Sequence, residues 1–248
     1  MEDLDRARVV PGAARQMLLT LEALGLLWDG AVEYQSTRTA HYHQALDELV
    51  SRGLTFECSC SRRERDGQGG YTGTCRGGPR RPGPTATRLR VGDGALSFDD
   101  RAQGTCTFMM RERGDVVIRR RGGAFAYQLA VVVDDALQGV TDVVRGADLL
   151  DSTPWQLTLQ RALGLPQPAY LHLPLVLEPD GRKLAKSGRC VPLDPGRAGH
   201  ELCRALRLLR QDPPAKLEFE PAPAVLAWAC MHWRPERLRG LREIRLSG

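Results

Sequence analysis

Two segments near the start of the chain place apolar residues at helical spacing. The first begins after Pro11, ends at Gly25 and contains Ala14, Met17, Leu18, Leu21 and Leu24. The second begins after Ser36, ends at Gly53 and contains Tyr42, Ala45, Leu46, Leu49 and Val50. Apolar residues three and four positions apart form one face of a helix, and proline and glycine commonly mark helix ends. We therefore predict two amphipathic helices, the second capped by the Ser36 side chain.

The middle of the chain alternates strand and helix patterns. Strand-like runs occupy residues 116–118, 140–144 and 170–177, and a helical pattern begins at residue 153 and ends at Gly164. The last two strands and the helix between them predict a βαβ unit with parallel strands and a right-handed crossover. The apolar run 125–133 fits a buried strand and a buried helix equally well.

Two other regions have fewer apolar residues that could join the main core. Residues 61–86 are rich in glycine, arginine and proline, which predicts a loop or a segment that needs an external staple. Beyond Gly199, helical apolar patterns alternate with prolines and predict a small helical appendix. We expect a core at residues 1–190, which includes an insertion at 54–90, and a helical region at 191–248.

Composition places the chain among ordinary globular proteins. Its 248 residues, 42% of them hydrophobic, suffice for one sizeable core with appendages. No apolar run approaches the roughly 20 residues that span a bilayer, and the acidic start at residues 1–5 is unlike a secretory signal. We therefore expect a cytoplasmic protein without a membrane partner. The seven cysteines are odd in number and mostly scattered, which argues against a disulfide framework.

The net charge of +5 permits a nucleic-acid partner without requiring one, because 35 basic residues only modestly exceed 30 acidic ones. Most basic residues are arginines, which bind phosphate groups through two parallel hydrogen bonds. They cluster within residues 62–65, 76–81 and 119–121. Such clusters are more often solvated surfaces than binding sites.

Three cysteines lie within the polar segment. Cys58, Cys60 and Cys75 fall inside eighteen residues that have no core of their own. Zinc favours four tetrahedral ligands, and its binding to thiolates contributes on the order of 10 kcal/mol to folding. The spacing favours a structural zinc ion over three reduced cysteines that are neighbours by chance. The fourth ligand stays open, because Tyr71 could serve only as a phenolate, whose unperturbed pKa is about 10.

Other candidate residues follow the predicted strands. Arg145 stands at the carboxyl end of a predicted parallel strand, where α/β sheets hold ligands, and suits a carboxylate as well as a surface salt bridge. Tyr127 lies in an apolar run, which by itself favours a core tyrosine. Lys183 and Lys186 are two of the three lysines in the chain, and their loop suits either triphosphate charge or an exposed basic turn.

These motifs in this order resemble the class I aminoacyl-tRNA synthetases, and in particular the short glutamyl-tRNA-synthetase-like enzymes that modify a tRNA. The resemblance covers residues 1 to about 190. It rests on MEDLD, YQSTR, the pattern of three cysteines with Tyr71, YQLAVVVDD, VRGADLL and KLAKS.

The resemblance implies an α/β fold, namely a Rossmann-type catalytic core with a zinc-stapled insertion and a small helical C-terminal appendix. It implies a ligase that activates L-glutamate with ATP and Mg²⁺ and transfers it to the queuosine base in the anticodon of tRNA(Asp). We expect a monomer. There are two alternatives. The first is a full glutamyl-tRNA synthetase that charges tRNA(Glu), and the second is a non-catalytic zinc-containing remnant that binds tRNA. Only about sixty residues follow the lysine loop, which favours the short enzyme over a full glutamyl-tRNA synthetase.

The resemblance also implies roles for single residues. Glu2 would meet the glutamate ammonium, Tyr127 and Arg145 would hold the same substrate, and Lys183 with the catalytic Lys186 would bind the ATP phosphates. The zinc ligands would be Cys58, Cys60, Tyr71 and Cys75.

The chain departs from the family pattern in two places. The HIGH-type motif that holds ATP is absent, because the sequence begins where the family already has a strand and a helix. The lysine loop has Ala185 where a serine is usual, and one lost hydrogen bond costs about 0.5 to 1.5 kcal/mol. We expect Met1 to be an internal methionine of a longer reading frame and the chain as given to be catalytically defective.

Overall fold

The computed structural model describes residues 1–61, 64, 71, 73–184 and 193–246. The α-helices of this part of the chain are α1 (Ala13–Ala23), α2 (Thr39–Ser51), α3 (Met110–Arg113), α4 (Tyr127–Leu137), α5 (Thr153–Ala162), α6 (Ala198–Leu208) and α7 (Ala222–His232). The strands are β1 (Thr55–Cys58), β2 (Ala86–Leu89), β3 (Ala95–Asp100), β4 (Gly104–Met109), β5 (Val116–Arg119), β6 (Asp142–Gly146), β7 (Ala169–Leu173), β8 (Leu175–Leu177) and β9 (Glu243–Arg245). Short 3₁₀ segments lie at Arg6–Arg8, Gln35–Thr37, Ala147–Ser152, Pro195–Arg197, Ala215–Phe219 and Pro235–Leu238. No helix among these residues is long and apolar enough to cross a bilayer.

The sheet that positions the candidate site has the strand order β4-β3-β7-β6. Strands β3 and β4 are antiparallel, whereas β7 runs parallel to both β3 and β6. Helix α5 connects β6 to β7, so the predicted βαβ unit with parallel strands is confirmed. The register sets Arg145 of β6 opposite His172 of β7.

Two smaller sheets complete the strand arrangement. The antiparallel sheet β1-β2-β5 contains the predicted strand at residues 116–118 and carries Cys58 at its edge. Strand β9 near the end of the chain pairs in parallel with β8, a contact that the helical pattern of the tail did not predict. The ambiguous run 125–133 is mainly helical, since α4 begins at Tyr127 and buries Leu129, Ala130, Val132 and Val133.

The main core lies between helices α2, α4 and α5 and the strands. Its fully buried members include Leu49, Leu89, Ile118, Leu129 and Leu157. Burying one such side chain contributes about 1.5–3 kcal/mol, which makes this cluster the main support of the α/β fold. A second cluster joins α6 and α7 to Leu24 at the end of α1.

The two predicted N-terminal helices form, but their apolar faces differ in burial. Helix α2 buries Tyr42, Ala45, Leu46 and Leu49, while Val50 from the same predicted face is exposed. Helix α1 has no buried residue within its bounds, and Met17 is 57% exposed. Periodicity therefore located both helices correctly but did not determine how deeply each face is buried.

A buried carboxylate joins α2 to α4. Asp134 accepts hydrogen bonds from Tyr42 Oη at 2.7 Å, Arg38 Nε at 2.7 Å and Gln35 Nε2 at 3.0 Å. Three donors compensate for the desolvation of the carboxylate, and two of them are side chains from the 3₁₀ segment and the turn before α2. This contact fixes α2 and the residues before it against α4.

The first residues of the chain are tied to the same place. The Gln35 N–H donates to the Met1 carbonyl at 3.1 Å, and the Ser36 N–H and hydroxyl donate to the Asp3 carboxylate at 2.8 and 2.6 Å. The prediction that Ser36 caps α2 is therefore wrong. Helix α2 begins at Thr39 without a side-chain cap, because the Ser36 hydroxyl is bound to Asp3 instead.

Gly114 is a position where the backbone permits only glycine. Its φ is +66° with ψ near −179°, and a Cβ there would lie 2.2 Å from the Tyr71 carbonyl oxygen. Tyr71 forms a β-bridge with Gly114, and Trp155 Nε1 of α5 donates to the Gly114 carbonyl at 2.9 Å. Gly114 thus connects the cysteine segment to α5.

Gly114→Ala should destabilise the protein more than Gly104→Ala does. Both residues have positive φ, but nothing lies within 4 Å of a Cβ added at Gly104. The backbone strain of alanine costs about 1–3 kcal/mol, and only Gly114→Ala adds a clash with Tyr71. Urea unfolding measures both changes. Equal losses of unfolding free energy in the two variants would contradict the assigned contact.

Candidate functional site

Arg145 lies at the carboxyl end of β6, as the sequence predicted, and its guanidinium is held on two sides. Its Nε donates to His172 Nε2 at 3.0 Å. Its Nη2 donates to Thr153 Oγ1 at 2.9 Å and to Gln156 Oε1 at 2.7 Å. The guanidinium also lies 5.3 Å from the ring centre of Tyr170. These contacts fix the plane of the guanidinium at the edge where parallel sheets bind ligands.

His172 forms a fully buried pair with Asp100 on the side away from Arg145. His172 Nδ1 lies 2.6 Å from Asp100 Oδ2, and both side chains are inaccessible to solvent. The Asp100 carboxylate also accepts the N–H groups of Ala102, Gln103 and His172. Burial opposes ionisation of Asp100, but the His172 contact and these N–H donors outweigh it and lower the pKa of Asp100.

Three acidic groups share the electrostatic surroundings of Arg145. Burial raises the pKa of Glu2, against the attraction of the N-terminal ammonium and of Arg145. Burial also raises the pKa of Tyr127, with a further contribution from Glu2 and opposition from Arg145. Burial raises the pKa of Asp135 to about 6, again opposed by Arg145. The structure thus brings the predicted residues Glu2, Tyr127 and Arg145 into one charged cluster and adds Asp135.

A cleft of about 770 Å³ opens beside this cluster. The residues of its wall include the polar Glu2, Gln35 and Tyr127 and the apolar Val9 and Met17. A mostly apolar wall with a few fixed polar groups is typical of small-molecule sites.

The lysine loop is described only in part. Lys183 Nζ forms an ion pair with Asp148 Oδ2 at 3.1 Å, in the 3₁₀ segment that follows β6. Lys186, the predicted catalytic lysine, and Ala185 lie outside the described residues. Binding of ATP phosphates by Lys183 and Lys186 stays a prediction.

The structure brings the cysteines Cys58, Cys60 and Cys75 together, as the spacing predicted. Their sulfur atoms lie within 4.8 Å of one another, and Cys60 and Cys75 are 3.4 Å apart. The Tyr71 hydroxyl lies 3.6 Å from the Cys58 sulfur and 3.8 Å from the Cys60 sulfur. Three thiols and one phenol therefore surround a common centre that is compatible with a zinc ion.

The electrostatics of the cluster favour one thiolate. Burial opposes ionisation of Cys75, but backbone N–H groups of Ser59 and Arg80 together with the Tyr71 hydroxyl lower the pKa of Cys75 to about 6. Burial raises the pKa of Cys60 to about 11 and also raises the pKa of Tyr71. The Arg88 guanidinium lies 3.8 Å from the centre of the Tyr71 ring. A positive charge at this position favours an ionised phenol.

Several clustered arginines hold the cysteine segment in place. Arg76 forms an ion pair with the buried Asp115 at 2.7 Å, and Arg81 pairs with Glu64. Arg121 donates to the carbonyl groups of Ser59 and Cys60. Residues 62, 63 and 65 of the first cluster lie outside the described residues. The other two clusters therefore include arginines that contribute to folding of this segment.

Sequence reasoning missed the residues around Arg145, namely Asp100, Asp135, Thr153, Gln156 and His172. The sequence contained one kind of local signal, a polar residue inside an apolar element. His172 lies inside the strand-like run 170–177, and Gln156 lies between apolar positions of the predicted helix. Polar residues buried in regular elements require partners, but the sequence does not identify which partners they have.

Comparison with known proteins identifies the family. A family model described as class I tRNA synthetases (E and Q), catalytic domain, matches residues 1–69 and 72–191. The chain is 53% identical over 240 residues to the glutamyl-Q tRNA(Asp) synthetase of Pseudomonas paraeruginosa, covering 96% of this chain and 82% of the relative. It is 51% identical over 252 residues to the glutamyl-Q tRNA(Asp) synthetase of Pseudomonas syringae pv. syringae, covering 100% of this chain and 85% of the relative.

Solved structures confirm the predicted fold. The glutamate tRNA ligase of Elizabethkingia meningosepticum has a TM-score of 0.73 at 19% identity, and the glutamate-tRNA synthetase of Elizabethkingia anophelis has 0.74 at 20%. Both matches cover 100% of this chain, which spans 59% and 60% of the respective solved chains. The predicted family resemblance is also confirmed, and the chain belongs to the class I tRNA synthetases (E and Q), within the group of the glutamyl-Q tRNA(Asp) synthetases.

Proposed function

We propose that the chain activates L-glutamate with ATP and Mg²⁺ and transfers it to the queuosine base of tRNA(Asp). Arg145 carries the proposal, because its guanidinium is fixed at the carboxyl end of β6 beside Glu2, Tyr127 and Asp135. A cation beside carboxylates matches a zwitterion with an extra carboxylate, which is the charge pattern of glutamate. Membership of the glutamyl-Q tRNA(Asp) synthetase group supports the same substrate and the same tRNA.

Each residue has a role in this proposal. The guanidinium of Arg145 binds a carboxylate of the amino acid, and the Tyr127 hydroxyl contributes a second hydrogen bond to the substrate. The Glu2 carboxylate accepts the substrate ammonium group. Lys183 and Lys186 bind the phosphates of ATP, where ammonium groups offset the negative charge that develops during adenylate formation.

The acidic cluster becomes more favourable to substrate when it ionises. The pKa of Asp135 near 6 means that its carboxylate is largely charged above neutral pH. A substrate ammonium group close to Glu2 and Asp135 would stabilise their ionised forms and lower both pKa values again.

We further propose that Cys58, Cys60, Tyr71 and Cys75 hold one structural zinc ion. In a tetrahedral site with Zn–S distances of about 2.3 Å, the ligand atoms lie about 3.8 Å apart. The Cys60 and Cys75 sulfurs lie 3.4 Å apart, and Tyr71 Oη lies 3.6 Å from the Cys58 sulfur and 3.8 Å from the Cys60 sulfur, which fits this geometry. When bound, zinc stabilises thiolates and a phenolate and so staples the polar segment.

The choice of acceptor tests the main proposal. Labelled glutamate and ATP are incubated with the enzyme in excess over tRNA, because a chain with the low catalytic rate expected here can still complete a single turnover. We expect label on tRNA(Asp) that carries queuosine, and none on the same tRNA without queuosine or on tRNA(Glu). Label on tRNA(Glu) alone would contradict the proposal. Absence of glutamate-dependent ATP–pyrophosphate exchange would support a non-catalytic tRNA-binding protein.

Arg145→Lys should weaken glutamate binding while the fold is retained. Lysine keeps the charge but loses the planar donor arrangement, and a hydrogen bond to a charged group contributes about 1.5–3 kcal/mol. We expect the dissociation constant for L-glutamate, measured by calorimetry, to rise by about 10- to 100-fold. Arg161→Lys, an exposed position on the same helix that carries Thr153, is the matched control. Unchanged glutamate affinity in Arg145→Lys would remove Arg145 from the site.

The zinc proposal is tested separately by metal analysis. We expect about one zinc per chain in the wild type and none in Cys75→Ala, with faster proteolysis of the polar segment. Cys230→Ala removes an exposed cysteine outside the cluster and should keep the metal. A folded wild-type protein free of zinc would refute the assignment.

A further inference from the structure

The hydrogen-bond acceptors of Arg145 carry no charge. Its three acceptors are an imidazole nitrogen, a hydroxyl oxygen and an amide oxygen, all of them uncharged. Among the residues that the structure describes, no carboxylate lies within ion-pair distance of its guanidinium. Arg145 therefore has hydrogen-bond partners but no fixed counter-ion in direct contact.

The protonation of His172 follows from its two neighbours. An arginine Nε–H can only donate, so His172 Nε2 must present a lone pair to Arg145. On the other side, the ionised Asp100 carboxylate accepts the Nδ1 proton. The Tyr170 ring stacks on the imidazole with ring centres 5.9 Å apart and brings no charge. Asp100 and Arg145 thus set a neutral imidazole with its proton on Nδ1.

Gln156 is oriented in a similar way. Its Nε2 donates to Gln128 Oε1 at 2.9 Å, and Gln128 Nε2 in turn donates to Ser152 Oγ at 3.0 Å. This chain of donors turns the Gln156 oxygen toward Arg145. Gln156 is 1% exposed and Thr153 is fully buried, so neither side chain can exchange its partner for water.

These three contacts use Nε and Nη2 of the guanidinium. Arginine has five N–H donors. Nε and Nη2 together supply three of them to His172, Thr153 and Gln156. The two hydrogens of Nη1 take no part in these three bonds, and the Tyr127 hydroxyl, another uncharged group, also interacts with the guanidinium. Nη1 is therefore the part of the guanidinium that faces a ligand together with Tyr127.

We propose that His172, Thr153 and Gln156 form a neutral cradle, which positions Arg145 for a substrate carboxylate without cancelling its charge. This inference rests on the proposed role of Arg145 in binding glutamate. Asp100 acts through His172, since it fixes the tautomer while keeping its own charge one imidazole away from the guanidinium. The cradle thereby favours an anionic side chain over a neutral one, and glutamate over glutamine.

Gln156→Glu tests the cradle with a nearly isosteric change. The new carboxylate would accept from Arg145 Nη2 at least as well as the amide does. The Gln128 amide can turn over to donate to the second carboxylate oxygen and accept from the Ser152 hydroxyl, so a purely structural role predicts unchanged glutamate binding. The cradle predicts a partly cancelled charge and at least a tenfold rise in the dissociation constant for L-glutamate, with a smaller preference over L-glutamine. Gln167→Glu makes the same change at an exposed position and should bind as the wild type does.

The protonation state of His172 can be measured in the wild-type protein, which tests the cradle without the Gln156→Glu variant. Nitrogen NMR of the His172 ring at the assay pH should show a neutral imidazole with its proton on Nδ1. A proton on Nε2 would overturn the cradle, as would wild-type glutamate affinity in a folded Gln156→Glu protein. A wild-type chain that does not bind glutamate would refute both the cradle and the proposed function. If the wild type binds glutamate and Gln156→Glu binds it equally well, the cradle is refuted and the proposed function is not.

Discussion

The Asp100 carboxylate holds together the sheet that carries Arg145 and the proposed amino-acid site. The hairpin β3-β4 and the parallel pair β6-β7 meet through a single register pair, Asp100 with Tyr170. So short a strand contact offers few backbone hydrogen bonds. Asp100 adds contacts with the His172 ring and with three backbone N–H groups from both sides of the junction. A buried carboxylate with this many donors is compensated for its loss of water, and it sets the position of His172.

Hydrogen bonds continue from this junction to Arg145 at the carboxyl end of β6. His172 lies opposite Arg145 in the register of β7 and β6, so the buried pair and the half-buried guanidinium form one line of hydrogen bonds. A second buried carboxylate, Asp134, fixes the start of the chain and α2 against α4. Because α4 begins at Tyr127, this contact also places Glu2 and Tyr127 on the same side as Arg145.

Patterns that depend on local physics were predictable from the sequence. Helical spacing located α1 and α2, the strand-helix-strand order identified the parallel pair, and three thiols in a polar segment indicated a cluster. Partners distant in the chain were not predictable. Asp100 and His172 are 72 positions apart, and nothing near either residue specifies the other. The Ser36 hydroxyl was assigned to a helix end because its competing partner, Asp3, lies 33 positions earlier.

Helix α5 serves two parts of the protein within one turn. Thr153 and Gln156 contact Arg145, while Trp155 between them binds the carbonyl of Gly114, which adjoins Tyr71 of the cysteine cluster. Evolutionary substitution at these positions is therefore pleiotropic. A change that shifts the helix and so moves the surroundings of Arg145 also moves the support of the cysteine segment, and the converse holds. Variation at residues 153–156 should be epistatic with variation at Gly114, although these residues lie in different elements and far apart in the chain.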